Sequence, residues 1–275
     1  MNVNIFNGLI ALNGEIDTKK KTPSFAMKLG IKKFDISESF TGLELLQSLS
    51  PIAGAMNGKL NSNIDLSGNL NTDFTPNLTT LTGNAFAELL TTKLNPKKTK
   101  ALSLLNDKLS FIDLNNINLS DIKTHLSFKN GNVIVKPFKI KYKDIGINID
   151  GSHGFDKAMN YNLTFDVPAK YLGNDVQGLL SKLSAKDQNI TVPITASITG
   201  NMASPSIKTD LSSSVSNLSK QLIQQQKSKL VDSALSKLLG NKKGDSTKTS
   251  NKKIKKVTDV LGGLFSRKKK KKGGN

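Results

Sequence analysis

The chain has 275 residues, with 40 Lys or Arg against 21 Asp or Glu (net charge +19), 36% hydrophobic residues, no Cys and no Trp. That length holds one large domain or two small ones, and the missing cysteines exclude disulfide staples, thiolate metal sites and cysteine nucleophiles. Residues 240–275 carry 13 of the basic residues against two Asp, so +11 of the charge sits in a Lys/Gly/Ser/Asn-rich tail and the body is only mildly basic.

The first segment, "MNVNIFNGLIALNGEID", reads as strand broken at Gly8 and Gly14. It has neither the basic stretch nor the apolar length of a signal peptide. Because it starts as strand with no capping element before it, an upstream segment is expected. No run of 18 apolar residues follows anywhere, so no stretch reads as a membrane-spanning helix.

Period-two alternation then dominates the body: Phe25 to Ile31, Leu60 to Leu66, Leu126 to Phe128, Val133 to Val135, Phe138 to Tyr142, Ile145 to Ile149, Leu163 to Val167 and Ile190 to Ile198. Asn57-Gly58, Asn130-Gly131, Asp150-Gly151 and Thr199-Gly200 punctuate these runs as hairpins or strand exits, which predicts antiparallel neighbours. In "VIVKPFKIKYKDIGINIDG" the apolar phase moves from odd to even positions beside Pro137. That predicts one bent strand with a β-bulge, a turn near Asp144 and a second strand.

Helical signals are fewer. "DISESFTGLELLQSL" predicts a helix capped by Asp35 or Ser37, with Phe40, Leu43 and Leu46 on one stripe. "GNAFAELLTTKL" and "TKALSLLNDKL" predict two more, carrying Phe86, Leu89, Leu90, Leu102, Leu105 and Leu109, and a weaker one runs from Val176 to Leu183. A longer helix is expected from about Val215 to Leu239, stopped by Gly240, with the basic tail beyond it.

Chemistry-bearing motifs are sparse. His125 and His153 fall in separate strand regions without metal-ligand spacing and read as solvent-facing or hydrogen-bonded. "GSHG" at 151–154 lacks the spacing of a nucleophile elbow, and neither a P-loop nor a dinucleotide fingerprint occurs. Asp144, Asp150, Asp156 and Asp166 sit where turns and solubility account for them. The reading is therefore of a protein that is not an enzyme and needs no cofactor or metal. The "RKKKKK" run at 267–272 suits an anionic membrane surface better than nucleic acid, because the body has no aromatic-and-basic stacking platform.

The apolar face of the sheet needs cover. Two solutions follow from pattern alone: a second sheet or barrel closure that makes it an ordinary core, or a curled trough open to acyl chains. The ordered set "LTTLTGNAFAELL", "LSFKNGNVIVKPFKIKYKDIGINIDGSHGFDKAMNYNLTFDVP" and "ITVPITASITGNMASPSIKTD", followed by a helix ending in "LLG", resembles the C-terminal region of AsmA-family proteins over roughly residues 40 to 240.

The resemblance implies a mainly β protein with minor α: a curved antiparallel sheet forming an apolar groove, edge helices, a C-terminal helix and a disordered basic tail, divided at 1–211, 212–240 and 241–275. It implies a bacterial protein anchored in the inner membrane and facing the periplasm, which moves phospholipid toward the outer membrane. Two departures stand out: the chain lacks the family's N-terminal membrane helix and the length of a bridge. An upstream segment or membrane-anchored partner is therefore expected. The expected lining is Val133, Val135, Phe138, Ile140, Ile145, Ile147, Ile149, Leu163, Phe165, Ile190, Val192, Ile194 and Ile198, with phospholipid acyl chains as ligand. A self-filled structural domain and nucleic-acid binding by the tail are the competing readings.

Overall fold

The computed structural model describes residues 1–43, 46 and 49–239. Among them eleven strands form one antiparallel sheet in strict chain order. They are β1 (Asn2–Ile5), β2 (Gly8–Asp17), β3 (Ser24–Asp35), β4 (Met56–Asn69), β5 (Thr82–Leu94), β6 (Ile122–Lys129), β7 (Asn132–Tyr142), β8 (Ile145–Gly154), β9 (Ala158–Pro168), β10 (Thr191–Asn201) and β11 (Ser204–Thr209). β1 pairs only with β2 and β11 only with β10, so the sheet is open: neither the second sheet nor the barrel closure weighed from pattern forms.

Alternation sets which face is buried. In β4, Leu60, Ser62, Ile64 and Leu66 are buried while Asn63 and Asp65 face water. The polar face carries exposed ion pairs such as Lys28–Asp65 (3.9 Å) and Lys123–Glu88 (3.2 Å). The register of β7 against β8 slips between Val135 and Phe138, the bulge expected at Pro137, and Lys143 takes a positive φ in the following turn. Asn130-Gly131 makes the tight β6–β7 turn with both residues at positive φ.

The other three Gly dipeptides lie inside strands. Asn57-Gly58 forms a bulge in β4, and Thr199-Gly200 belongs to β10. Asp150-Gly151 sits within β8, where a Cβ on Gly151 would lie 2.5 Å from the Asn160 carbonyl oxygen. There glycine serves close backbone approach between strands, and the turn comes only after Gly154.

Four helices are described: α1 (Ile36–Gly42), α2 (Lys100–Lys108), α3 (Asn174–Leu180) and α4 (Leu211–Leu239). The Asp35 carboxylate caps α1 by accepting from the Glu38 N–H at 3.1 Å, and the Thr99 hydroxyl caps α2 by accepting from the Leu102 N–H. The single helix expected through Leu46 is interrupted at Leu43, whose backbone is extended just after Gly42.

The helix expected at "GNAFAELLTTKL" is strand β5. Phe86, Leu89 and Leu90 mimic helical spacing, but β4 and β6 flank the segment, and two-sided pairing overrides that local pattern. Its inward residues are Ala85, Ala87 and Leu89, while the Phe86 ring lies tilted against that of exposed His125, centroids 5.2 Å apart, on the other face. α4 starts at Leu211, four residues earlier than expected. It docks through buried Leu218 and Leu222, whereas Leu230 is exposed. The basic tail and the Gly240 stop lie outside the described residues.

One contact joins distant parts of the sheet. α2 follows β5 through residues 95–99, yet it packs against β11, six places away in the sheet. α2 thus links the exit of β5 to the far edge of the sheet.

Candidate functional site

The apolar face of the sheet and the segments packed on it border a cavity of about 500 Å³. One wall is the inner face of β4 to β10, from Leu60 and Ile64 through Ala85, Leu126, Phe138 and Ile149 to Ile198. The other wall comes from Phe40 of α1, Leu46, Leu49, Leu102 and Leu105 of α2, and Leu114, Ile117 and Leu119 before β6. Facing strand rows supply matched apolar pairs, with Phe138 opposite Ile149, Ile149 opposite Leu163, and Ile147 between Ile140 and Phe165.

Few polar groups reach this space. The Ser62 hydroxyl is buried and donates to the Phe86 carbonyl at 2.7 Å. His153, 4% exposed on β8, bonds through Nδ1 to the Tyr161 hydroxyl at 2.8 Å, with the two rings stacked. Burial pushes the Tyr161 phenol up to about 12, so it stays protonated across the physiological range. The Thr124 Oγ1 is buried without a hydrogen-bond partner among the described residues. The other histidine, His125, is exposed on the opposite face.

Eight of the thirteen expected lining residues border the cavity: Val135, Phe138, Ile140, Ile147, Ile149, Leu163, Phe165 and Ile198. The other five do not. Ile145 and Ile194, fully covered, belong to the core beside α2, α3 and α4, and Ile190 and Val192 pack partly buried against it. Val133 is fully covered in the core around β3 to β6. Strand parity placed all thirteen on one face, but it does not tell which part of that face another segment covers.

Sequence reasoning also missed lining residues. Leu60 and Ile64 were already visible in the β4 alternation, and reading β5 as a helix hid Ala85, Ala87 and Leu89. Met159, Tyr161 and His153 carry no signal of their own beyond inward parity in β8 and β9.

Away from the cavity, Asp144 in the β7–β8 turn accepts from Lys170 Nζ at 2.5 Å. That bond, helped by one from Tyr171, holds its carboxyl down at about 2. This cluster lies on the surface and ties the turn to the segment after β9. Among the described residues there is no group of three or more His, Asp or Glu placed to hold a metal, and no helix long and apolar enough to cross a membrane.

No protein-family model, curated protein or solved structure matches the chain. The geometry of the cavity and the ordered motifs of the sequence are thus what bear on function.

Proposed function

We propose that this chain is a non-enzymatic lipid-binding module whose cavity takes phospholipid acyl chains. The observation that carries the reading is the 500 Å³ space walled by Ile, Leu, Val and Phe on both sides. Protein interiors pack closely and leave few voids larger than a water molecule, whereas pockets for small ligands run at about 300–1,000 Å³. A void of that size and lining stays poorly hydrated and gains by taking an apolar occupant. Each buried methylene recovers about 0.8 kcal/mol without directional preference, so a chain is held and still slides.

The AsmA-like motifs support the setting. On that reading the chain works at the periplasmic face of a bacterial inner membrane. It is joined there to an upstream segment or a membrane-anchored partner, and it passes phospholipid toward the outer membrane in support of its assembly. Residues 1–211 make up the β-groove region and 212–240 the amphipathic C-terminal helix. The Lys-rich tail, 241–275, adds attraction to anionic lipid at about 1 kcal/mol for each charge near the surface.

The test is mass spectrometry of organic extracts from protein purified without detergent. Stoichiometric phospholipid is expected. A well-folded, lipid-free protein, whose thermal midpoint also ignores added lipid, would point instead to a purely structural β-domain.

A further inference from the structure

The cavity reaches the surface at one corner, and the chemistry there differs from the rest. Among its lining residues are Ile52, which is 41% exposed, and Lys98, Thr99 and Lys100 at the start of α2. The short helical turns holding Ile52 (Pro51–Ala55) and Lys98 (Pro96–Lys98) touch each other, so they form one lip. Lys97 stands exposed beside them.

That lip is cationic, and no described residue compensates it. Residues 50–56 and 95–106 contain no Asp or Glu. Neither Lys98 nor Lys100 forms an ion pair with a described residue, although elsewhere on the surface Lys28, Lys123, Lys170 and Lys229 each hold a carboxylate. The first turn of α2 carries no acidic side chain either, where a carboxylate would be favourable. Unpaired positive charge meets the open end of an apolar cavity, which is complementary to an amphiphile with an anionic head and an acyl tail.

We infer that this lip is a headgroup site: Lys98 and Lys100 hold the anionic headgroup of the lipid whose chain lies in the cavity, so the module prefers anionic over neutral amphiphiles. The inference rests on the acyl-chain reading of the cavity. Ile52 lies against the first carbons of the chain, and the lysine stems extend the apolar wall while their ammonium groups stay in water.

The test uses the full chain and two soluble fluorescent probes of one tail, cis-parinaric acid and its methyl ester, which avoids vesicle surfaces that the Lys-rich tail would bind. The acid is expected to bind roughly tenfold more tightly than the ester at low salt, with the margin shrinking as salt rises. In Lys98→Glu/Lys100→Glu the acid should lose far more affinity than the ester, so that the preference vanishes or reverses. The outward-facing control Lys139→Glu/Lys141→Glu should keep it. If the acid preference survives at Lys98 and Lys100, or falls equally in the control, the lip is not the headgroup site, though the cavity reading stands. If neither probe binds the unaltered chain, the cavity reading itself fails.

Discussion

Strands β7 to β10 meet two different fates along their length. At one end, Tyr142, Ile145, Val167 and Ile194 lie in a packed core with Leu109 and Phe111 from the segment after α2, Val176 of α3 and Leu222 of α4. Toward the other end, Val135, Phe138, Ile140 and Ile149 are only half-buried and border the cavity. The residue types and the alternation are the same. The difference is made by distant parts of the chain that fill one end and stop short of the other, so a cavity in this fold is a property of coverage and not of strand sequence.

Substitutions can break that contrast. The largest effect is expected from Ile145→Asp, which places a carboxylate where no solvent reaches. Burying an unpaired charge costs more than a typical domain's whole stability margin. The variant should lose its β circular dichroism at 25 °C, and a folded variant would mean that this end is not core.

Truncations give a gentler matched pair. Ile145→Ala should cost about 2–5 kcal/mol in urea unfolding, because a new void opens in packed surroundings. Ile149→Ala, already facing a void, should cost only about 1 kcal/mol of lost apolar contact while lowering bound lipid severalfold. Equal costs at both positions would erase the distinction between filled and unfilled ends.

Tyr161 sharpens the comparison from the cavity side. Its folded pKa of about 12 lies above the unfolded value near 10. Below pH 10 both states keep the proton. Between 10 and 12 the unfolded chain releases it first, so stability falls by roughly 2 kcal/mol over that window. Tyr161→Phe should flatten this alkaline loss, measured as unfolding midpoint against pH.

The smallest effect belongs to the surface. Asp144 has a folded pKa near 2, below its unfolded value, so its contribution is present above about pH 4 and lost as pH falls toward 2. Asp144→Asn should lower the midpoint at pH 7 slightly, with the gap to the parent closing as pH falls toward 2, so that the acid limb is flatter.

Much of the fold was legible because period-two alternation survives wherever one sheet face is buried. The strands of β3, β4 and β6 to β10, the bulge at Pro137, the Asn130-Gly131 turn and the α2 helix all follow from local pattern. β5 was not legible, since Phe86, Leu89 and Leu90 fit helical spacing and only pairing with β4 and β6 decides the matter. Gly151 reads as a turn signal because glycine marks close backbone approach as well as tight turns. Eight cavity residues followed from parity. Which neighbours a helix would cover depended on α2 reaching β11, a contact between residues about 100 apart in sequence that no local pattern encodes.

Under the proposed function, an acyl chain occupies the space in front of β7. A photoreactive phenylalanine analogue placed at Phe138, which lines the cavity, or at Lys139, the next residue on the exposed face, tests it within a single strand. After irradiation of cells and purification, a phospholipid adduct is expected at position 138 and none at 139. A folded protein without adduct at 138, or with equal adduct at both, would mean that no acyl chain is held in the cavity.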